Sequence, residues 1–166
     1  MSNARPACLA LVLSLAVAGA ASSGVLLGGT PPPLSAVRWY NTTEPLTLEK
    51  LRGHVVLLDF WGVWCTPCRE QLPTLVQLQS QFASRGFRIL MIHTPQGADR
   101  LERFLQTERM PLVVSLDTGE TAQAYGVENY PAYVLIDARG RIAAFPEHPP
   151  EPRVIERLLQ DAAERK

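Results

Sequence analysis

The stretch that decides the fold is VVLLDFWGVWCTPCREQLP, residues 55–73. It begins with a continuous apolar run, Val55 to Phe60, which is typical of a central strand that is covered on both faces. Two cysteines, Cys65 and Cys68, follow it, and apolar residues at helical spacing continue from Thr66 to Ser84. The sequence therefore predicts a buried strand that places two thiols on the first turn of a helix.

Two thiols in this position suit thiol-disulfide exchange, which needs an ionised attacking thiol and a second thiol that resolves the mixed disulfide. Unpaired backbone N–H groups at a helix start point toward Cys65, so we expect its pKa to fall from about 8.5 toward roughly 7 or lower. Cys65 is then the attacking thiol, and Cys68 is the resolving thiol. Pro67 suits the first turn because its missing N–H would have no partner there. Thr66 adds no charge, and without His or Lys between the cysteines the pattern favours a reductant or a mid-potential exchanger.

The remaining pattern predicts one α/β domain. Its elements are strands at 87–92 and 112–116, helices at 99–108 and 121–125, a hairpin of 132–136 with 141–145, and a last helix with Val154, Ile155, Leu158 and Leu159 on one side. Leu46 to Leu51 is interpreted as a short strand or a turn. Strands that alternate with helices indicate a central mixed β-sheet flanked by helices on both faces.

The N-terminus carries a targeting pattern. Met1 to Arg5 holds one Arg, and the run from Ala7 to Leu27 is almost entirely apolar or small. Residues 1–27 are therefore predicted to be a signal peptide or a membrane anchor: cleavage after Ala18-Gly19-Ala20 and retention as a membrane span are both compatible. In both cases the positive charge on the N-terminal side predicts export of the rest, to the periplasm or another extracytoplasmic space.

Residues 28–33 (GGTPPP) are interpreted as a stiff linker, and residues 34–166 as one domain of ordinary size. The 166 residues include sixteen basic and sixteen acidic side chains. This balance provides no net field that would attract nucleic acid, so no nucleic-acid partner is expected.

The chain has three cysteines, and Cys8 lies in the targeting segment, so the exported part holds a single pair. Export places that pair where disulfides persist, and a bridge across two residues is better suited to reactivity than to stapling the fold. The alternative hypothesis is a metal-handling protein that binds copper through the two thiols and a histidine. Three histidines are available for this: His54, His93 and His148. A peroxidase is disfavoured, because the pattern Pro-x-x-x-Thr-x-x-Cys precedes neither cysteine of the pair.

Over about residues 34–145, the chain resembles the thioredoxin-like thiol-disulfide oxidoreductases, specifically the exported TlpA/ResA-like branch. The resemblance rests on residues 55–73, on Asn129-Tyr130-Pro131-Ala132, and on Tyr133 to Asp137 followed by Gly140. It implies a thioredoxin fold with an extra helix–strand insert around residues 98–116. It also implies a redox-active disulfide in place of any cofactor or metal, with disulfide-bearing proteins as substrates and a membrane electron donor. The branch is associated with cytochrome c maturation and periplasmic disulfide reduction.

The resemblance also implies roles for residues beside the cysteines. Pro131 matches the cis-proline that faces the disulfide, which would leave the backbone of Tyr130 able to pair with an extended substrate strand. Trp64 is expected to form apolar surface for substrates, and Thr66 and Pro67 complete the predicted client-binding surface.

Asp59 matches the buried acid beneath the cysteines, where a raised pKa would suit proton transfer with Cys68. A purely structural strand-end acid is the alternative for Asp59. The ResA-like branch carries Glu where this chain has Gln71, a departure that weakens any transfer of the cytochrome-specific role. Trp61 is expected in the core, and His93 is expected to cap its strand or to line the insert.

Overall fold

The computed structural model describes residues 25–164. The predicted signal peptide or anchor, residues 1–27, lies outside this range except for its last three residues. Within the described range, no helix is both long enough and apolar enough to cross a bilayer.

The described residues form a six-stranded mixed sheet with the order β1-β4-β3-β2-β5-β6. Its strands are β1 (Ala36–Tyr40), β2 (Val55–Trp61), β3 (Phe87–His93), β4 (Val113–Asp117), β5 (Ala132–Ile136) and β6 (Ile142–Ala144). The three central strands β4, β3 and β2 are parallel, whereas β1 and β5 run antiparallel to their neighbours and β6 runs antiparallel to β5. The mixed sheet that the sequence predicts is therefore confirmed.

Four α-helices flank the sheet in the described part of the chain: α1 (Thr66–Phe82), α2 (Ala98–Thr107), α3 (Glu120–Ala124) and α4 (Pro152–Ala163). Strand β2 is buried along its whole length and serves both faces. One set of its residues packs with α1, α2 and α4 in what we call the cysteine-side core, which includes Leu57, Trp61, Cys65, Cys68, Leu72, Leu101, Leu135 and Ile155. The alternate set packs with α3 in the opposite core, which includes Val56, Leu58, Phe60, Ala122, Tyr125 and Val134.

The insert lies where the resemblance implies. Helix α2 and strand β4 come between β3 and α3, and β4 extends the parallel part of the sheet beside β3. Helix α1 runs through Pro73 as one element and ends in a 3-10 turn, Ala83–Arg85. The predicted element types are correct here, and the bounds differ by one or two residues.

Two regions differ from expectation. Strand β1 has no counterpart in the sequence prediction, because its residues are half-exposed at the sheet edge and show no clear alternation. The segment 28–33, expected to be a stiff linker, is hydrogen-bonded to the domain: Gly28 N–H donates to the Ile142 carbonyl at 2.8 Å, and Ile142 N–H donates to the Gly29 carbonyl at 3.0 Å. The Tyr125 hydroxyl also donates to the Pro32 carbonyl at 2.8 Å. The folded unit therefore includes residues N-terminal to Leu34.

Candidate active site

Cys65 and Cys68 form a disulfide at the start of α1, with their Cα atoms 5.3 Å apart. Cys65 is the N-cap of the helix, and Cys68 N–H donates to its Sγ at 3.2 Å. Arg69 N–H donates to the Cys65 carbonyl at 3.2 Å, and the first turn contains no acidic residue. Sulfur at this position meets backbone donors and the positive end of the helix dipole, an environment that stabilises a thiolate.

Both cysteines are buried in the disulfide form. In this oxidised protein, Cys65 is 3% exposed and Cys68 is 2% exposed. Cys65 belongs to the cysteine-side core, whereas the adjoining Trp64 is exposed.

The Trp64 indole is fixed by three parts of the fold. Its Nε1–H donates to the Gln96 carbonyl, just before α2, at 3.1 Å. Its ring meets the Tyr130 ring edge to face, with centroids 5.7 Å apart. A Cβ on Gly97, whose φ is +81°, would lie 3.1 Å from Trp64 Cδ1, so the close approach favours glycine there. With 38% of its surface exposed, Trp64 forms an apolar platform beside the disulfide, and its contact with substrates stays a prediction. Trp61 is fully buried in the core, as predicted.

The peptide bond between Tyr130 and Pro131 is cis, the isomer that the resemblance implies. Because the Tyr130 ring touches Trp64, this bond lies next to the loop that carries Cys65. Thr66 and Pro67 are exposed, and Tyr130 and Pro131 are half-buried. The residues predicted to contact a client are thus gathered around one end of α1, and their contacts with a client stay a prediction.

His93 stabilises the loop before the cysteines. It is fully buried at the end of β3, its Nε2 accepts from Val63 N–H at 3.0 Å, and its Nδ1 contacts the Thr94 carbonyl. Since Nε2 accepts, the proton is on Nδ1 and the ring is neutral; burial lowers the pKa of His93 to about 4. This strand-end role matches one of the two expectations for His93, and the nitrogens that the copper hypothesis needs are both engaged.

Asp59 is buried in the middle of β2, with 2% of its surface exposed. Its neighbours two residues away, Leu57 and Trp61, belong to the cysteine-side core, so its side chain lies on the same face of the sheet as Cys68. Burial raises the pKa of Asp59 to about 8, and its Oδ1 has no hydrogen-bond partner among the described residues. Such a carboxyl is neutral near pH 7 and can gain or lose a proton close to that pH.

Sequence reasoning missed Tyr133, which is opposite Asp59 in the β2–β5 pair and 3% exposed. An alternating strand pattern predicts which face of the sheet Tyr133 lies on. It does not predict which residue lies opposite, because the register between β2 and β5 is set by the fold.

Gln71 stands where the ResA-like branch carries Glu, and Glu70 precedes it in the chain. Gln71 is half-buried at the position in question, and Glu70 is exposed. Within residues 25–164, no group of three or more His, Cys, Asp or Glu side chains is arranged to hold a metal ion.

Residues 32–145 match the AhpC/TSA family. The chain belongs to this family. Among curated relatives, it is 28% identical over 100 residues to the thiol-disulfide oxidoreductase ResA of Halalkalibacterium halodurans, a match that covers 60% of this chain and 57% of the relative. The corresponding protein of Bacillus subtilis is 30% identical over 98 residues, covering 58% of this chain and 55% of the relative. The chain thus aligns with little more than half the length of these relatives.

Solved structures agree on the fold. The crystal structure of a putative thiol:disulfide interchange protein DsbE from Chlorobium tepidum is 28% identical, with a TM-score of 0.67, and the match covers 84% of this chain and 99% of that one. A thioredoxin-like superfamily protein, SPOA0173, is 24% identical, with a TM-score of 0.71, over 78% of this chain and 96% of that one. The thioredoxin fold and the resemblance to thioredoxin-like thiol-disulfide oxidoreductases are confirmed.

Proposed function

We propose that this chain is an exported thiol-disulfide oxidoreductase that reduces or exchanges disulfides of client proteins. The observation that carries the proposal is the Cys65–Cys68 disulfide at the N-cap of α1, beside the cis bond before Pro131. The named activity of the ResA relatives and of the DsbE structure supports it.

In the reducing direction, the Cys65 thiolate attacks one sulfur of a client disulfide. A bond forms between Cys65 and that sulfur, and the other client sulfur leaves as a thiolate and takes a proton. Cys68 then loses its proton and attacks Cys65 Sγ, which re-forms the Cys65–Cys68 disulfide and releases the second client thiol. Two electrons pass from the dithiol to the client, and a membrane electron donor would reduce the enzyme again.

The client would bind as an extended segment along Tyr130, whose backbone is next to the cis bond. Trp64 would cover apolar side chains of the client, and the exposed Thr66 and Pro67 would contact it from the helix start. Because Cys65 is only 3% exposed in the disulfide, the client would have to approach its sulfur closely, beside the Trp64–Tyr130 ring pair.

Asp59 would take the proton from Cys68 during resolution. It is buried on the same face of the sheet, and its pKa of about 8 lies close to working pH, which suits a proton acceptor that must also release the proton.

The physiological setting is an extracytoplasmic space such as the periplasm, with the N-terminal apolar run as signal or anchor. Periplasmic redox homeostasis fits the site better than a dedicated role in cytochrome c maturation, because Gln71 stands where the ResA-like branch has Glu.

The test uses a Cys8→Ser background, so that only the pair can react. In reduction of insulin disulfides, Cys65→Ser should abolish turnover. Cys68→Ser should instead accumulate a covalent enzyme–insulin disulfide, detectable by mass spectrometry, because the resolving thiol is missing. Ser84→Ala, at an exposed position distant in sequence from the cysteines, is the control and should keep full turnover. Unchanged turnover in Cys65→Ser would refute the function.

A further inference from the structure

Tyr133 and Asp59 face each other across the β2–β5 pair. The register of the two antiparallel strands sets Asp59 opposite Tyr133. Directly opposed residues have Cβ atoms about 4.5–5.5 Å apart and side chains on the same face. Tyr133 belongs to the cysteine-side core together with Cys68, so all three side chains lie on one side of the sheet.

Each of the two residues buries a polar atom without a partner. Among the described residues, neither Asp59 Oδ1 nor the Tyr133 hydroxyl has a hydrogen-bond partner. A buried polar atom in this condition is unfavourable, because it has lost the hydrogen bonds that it would make with water. The other buried tyrosine of residues 25–164, Tyr125, donates its hydroxyl to the Pro32 carbonyl, so burial of a tyrosine in this fold does not by itself leave the hydroxyl unpaired. A phenol donor and a carboxylate acceptor that are both unpaired on facing residues are chemically complementary.

Tyr133 is the polar side chain directly opposite Asp59, and Trp61, two residues along β2 on the same face, also buries an Nε1–H that has no partner among the described residues. On β3, Met91 is opposite Asp59, and His93 is neutral with both nitrogens engaged. Helix α1 contributes Cys68, which is in the disulfide, and the buried residues of α4 are the apolar Ile155 and Leu159. Burial raises the pKa of Tyr133, and the Asp59 carboxylate raises it further, which is consistent with their proximity.

We propose that Tyr133 is a positioning residue for the proton transfer, and that its hydroxyl hydrogen-bonds the Asp59 carboxylate, directly or through one water, when Asp59 is ready to accept the proton of Cys68. This inference rests on the proposed role of Asp59 in the resolving step. In that step, the proton leaves Cys68 Sγ for the Asp59 carboxylate, and the Cys68 thiolate forms the bond to Cys65 Sγ. The bond between Cys65 and the client breaks, and the client sulfur leaves as a thiolate that takes a proton from water. Tyr133 changes no bond order; it keeps its own proton and orients the acceptor.

The test substitutes Tyr133→Phe, which removes only the hydroxyl and keeps the ring in the core. Because a hydrogen bond to the charged form favours that form, its loss should raise the pKa of Asp59. We expect an upward shift of at least about half a pH unit, which corresponds to about a threefold change in the equilibrium. It is measured by NMR titration of the Asp59 carboxyl carbon in the reduced protein. The pH profile of insulin reduction should shift in the same direction, and activity at pH 7 should fall by about threefold.

Two controls separate this role from a structural one. Tyr125→Phe also deletes a buried hydroxyl but on the opposite face of the sheet, and it should leave the Asp59 titration unchanged. In an Asp59→Asn background, Tyr133→Phe should cause no further loss of activity. Incorporation of 3-fluorotyrosine at position 133, a stronger donor in almost the same volume, should shift the Asp59 titration downward.

An unchanged Asp59 titration in both the Phe and the fluorotyrosine proteins would overturn the proposal, and so would an equal loss of activity with and without Asp59. The NMR readout does not depend on turnover. A protein that fails to reduce insulin but shows both shifts would refute the proposed function and keep the Asp59–Tyr133 pair.

Discussion

Two buried aspartates on strands of the same sheet differ in the hydrogen-bond donors that their carboxyl groups meet. Asp117, at the end of β4, is 1% exposed, and its two carboxylate oxygens accept from the N–H groups of Thr121 and Ala122 at 3.2 and 3.0 Å, at the start of α3. Asp59, in the centre of β2, is 2% exposed, and its Oδ1 accepts from no described residue. The two side chains are almost equally buried, so they differ in whether N–H groups donate to the carboxyl oxygens. A carboxylate that caps a helix is part of the framework, whereas one that lacks donors is held in its neutral form and is available for proton transfer.

The largest expected effect is on how stability depends on pH. The raised pKa of Asp59 means that the folded protein keeps a proton that the unfolded chain releases between about pH 4 and pH 8. Stability due to Asp59 is therefore greatest at low pH and falls as pH rises, by about 1.4 kcal/mol per pH unit. The free energy of unfolding of Asp59→Asn relative to the parent should grow by about 5 kcal/mol between pH 4 and pH 8, measured by urea unfolding of the oxidised proteins.

His93 affects how the stability of each protein depends on pH, but it affects the parent and Asp59→Asn equally, so the difference between them does not depend on it. Its lowered pKa means that the unfolded chain binds a proton between about pH 4 and pH 6.5 that the folded protein does not, so its contribution rises with pH over that window. In the parent protein the two contributions should nearly cancel up to pH 6.5, after which stability falls. Asp59→Asn should instead rise to pH 6.5 and then level off. If the free energy of unfolding depended on pH in the same way in the parent and in Asp59→Asn, the proposed difference between Asp59 and Asp117 would be wrong.

The next effect is on activity. Asp59→Asn keeps the shape of the carboxyl but cannot accept the proton of Cys68, so insulin reduction at pH 7 should fall by about 100-fold, within the usual contribution of general acid–base catalysis. Stopped-flow measurement should locate the loss in the resolving step, with the attack by Cys65 nearly unchanged. Full activity in this variant would contradict the role in proton transfer and would favour the alternative from the sequence, a purely structural acid.

The smallest effect is expected at Asp117. Asp117→Ala removes both acceptors from the N-terminus of α3 and should lower the free energy of unfolding by about 2 kcal/mol. Thermal or urea unfolding measures this loss, and turnover per folded molecule should stay at the parent value. A loss of turnover beyond the loss of folded protein would mean that Asp117, too, serves the reaction.

Much of this arrangement could be predicted from the sequence. The apolar run of β2 and the spacing of Cys65 and Cys68 specify local structure, because strand and helix patterns depend on neighbours in the chain. The cis bond before Pro131 could be predicted only through the resemblance, since an isolated Tyr-Pro pair favours trans.

The rest depends on contacts between distant segments. Strand β1 is recruited by β4, more than seventy residues later, and its own sequence is too mixed to indicate a strand. The nitrogens of His93 find their partners in the loop before the cysteines and in the next residue. The pairing of Asp59 with Tyr133 follows from the register of β2 and β5. Burial of Cys65 likewise arises from packing that no local pattern contains.

The two backbone bonds between residues 28–29 and Ile142 have a consequence for self-association. Strand β6 is the last strand of the sheet, and an uncovered last strand offers free amides and carbonyls to a neighbouring molecule. Here the two glycines already occupy that side of Ile142, and at the far edge β1 is only five residues long and includes the exposed, charged Arg38. The sheet therefore has little opportunity to grow from molecule to molecule, which helps to keep the protein from polymerising through its own strands.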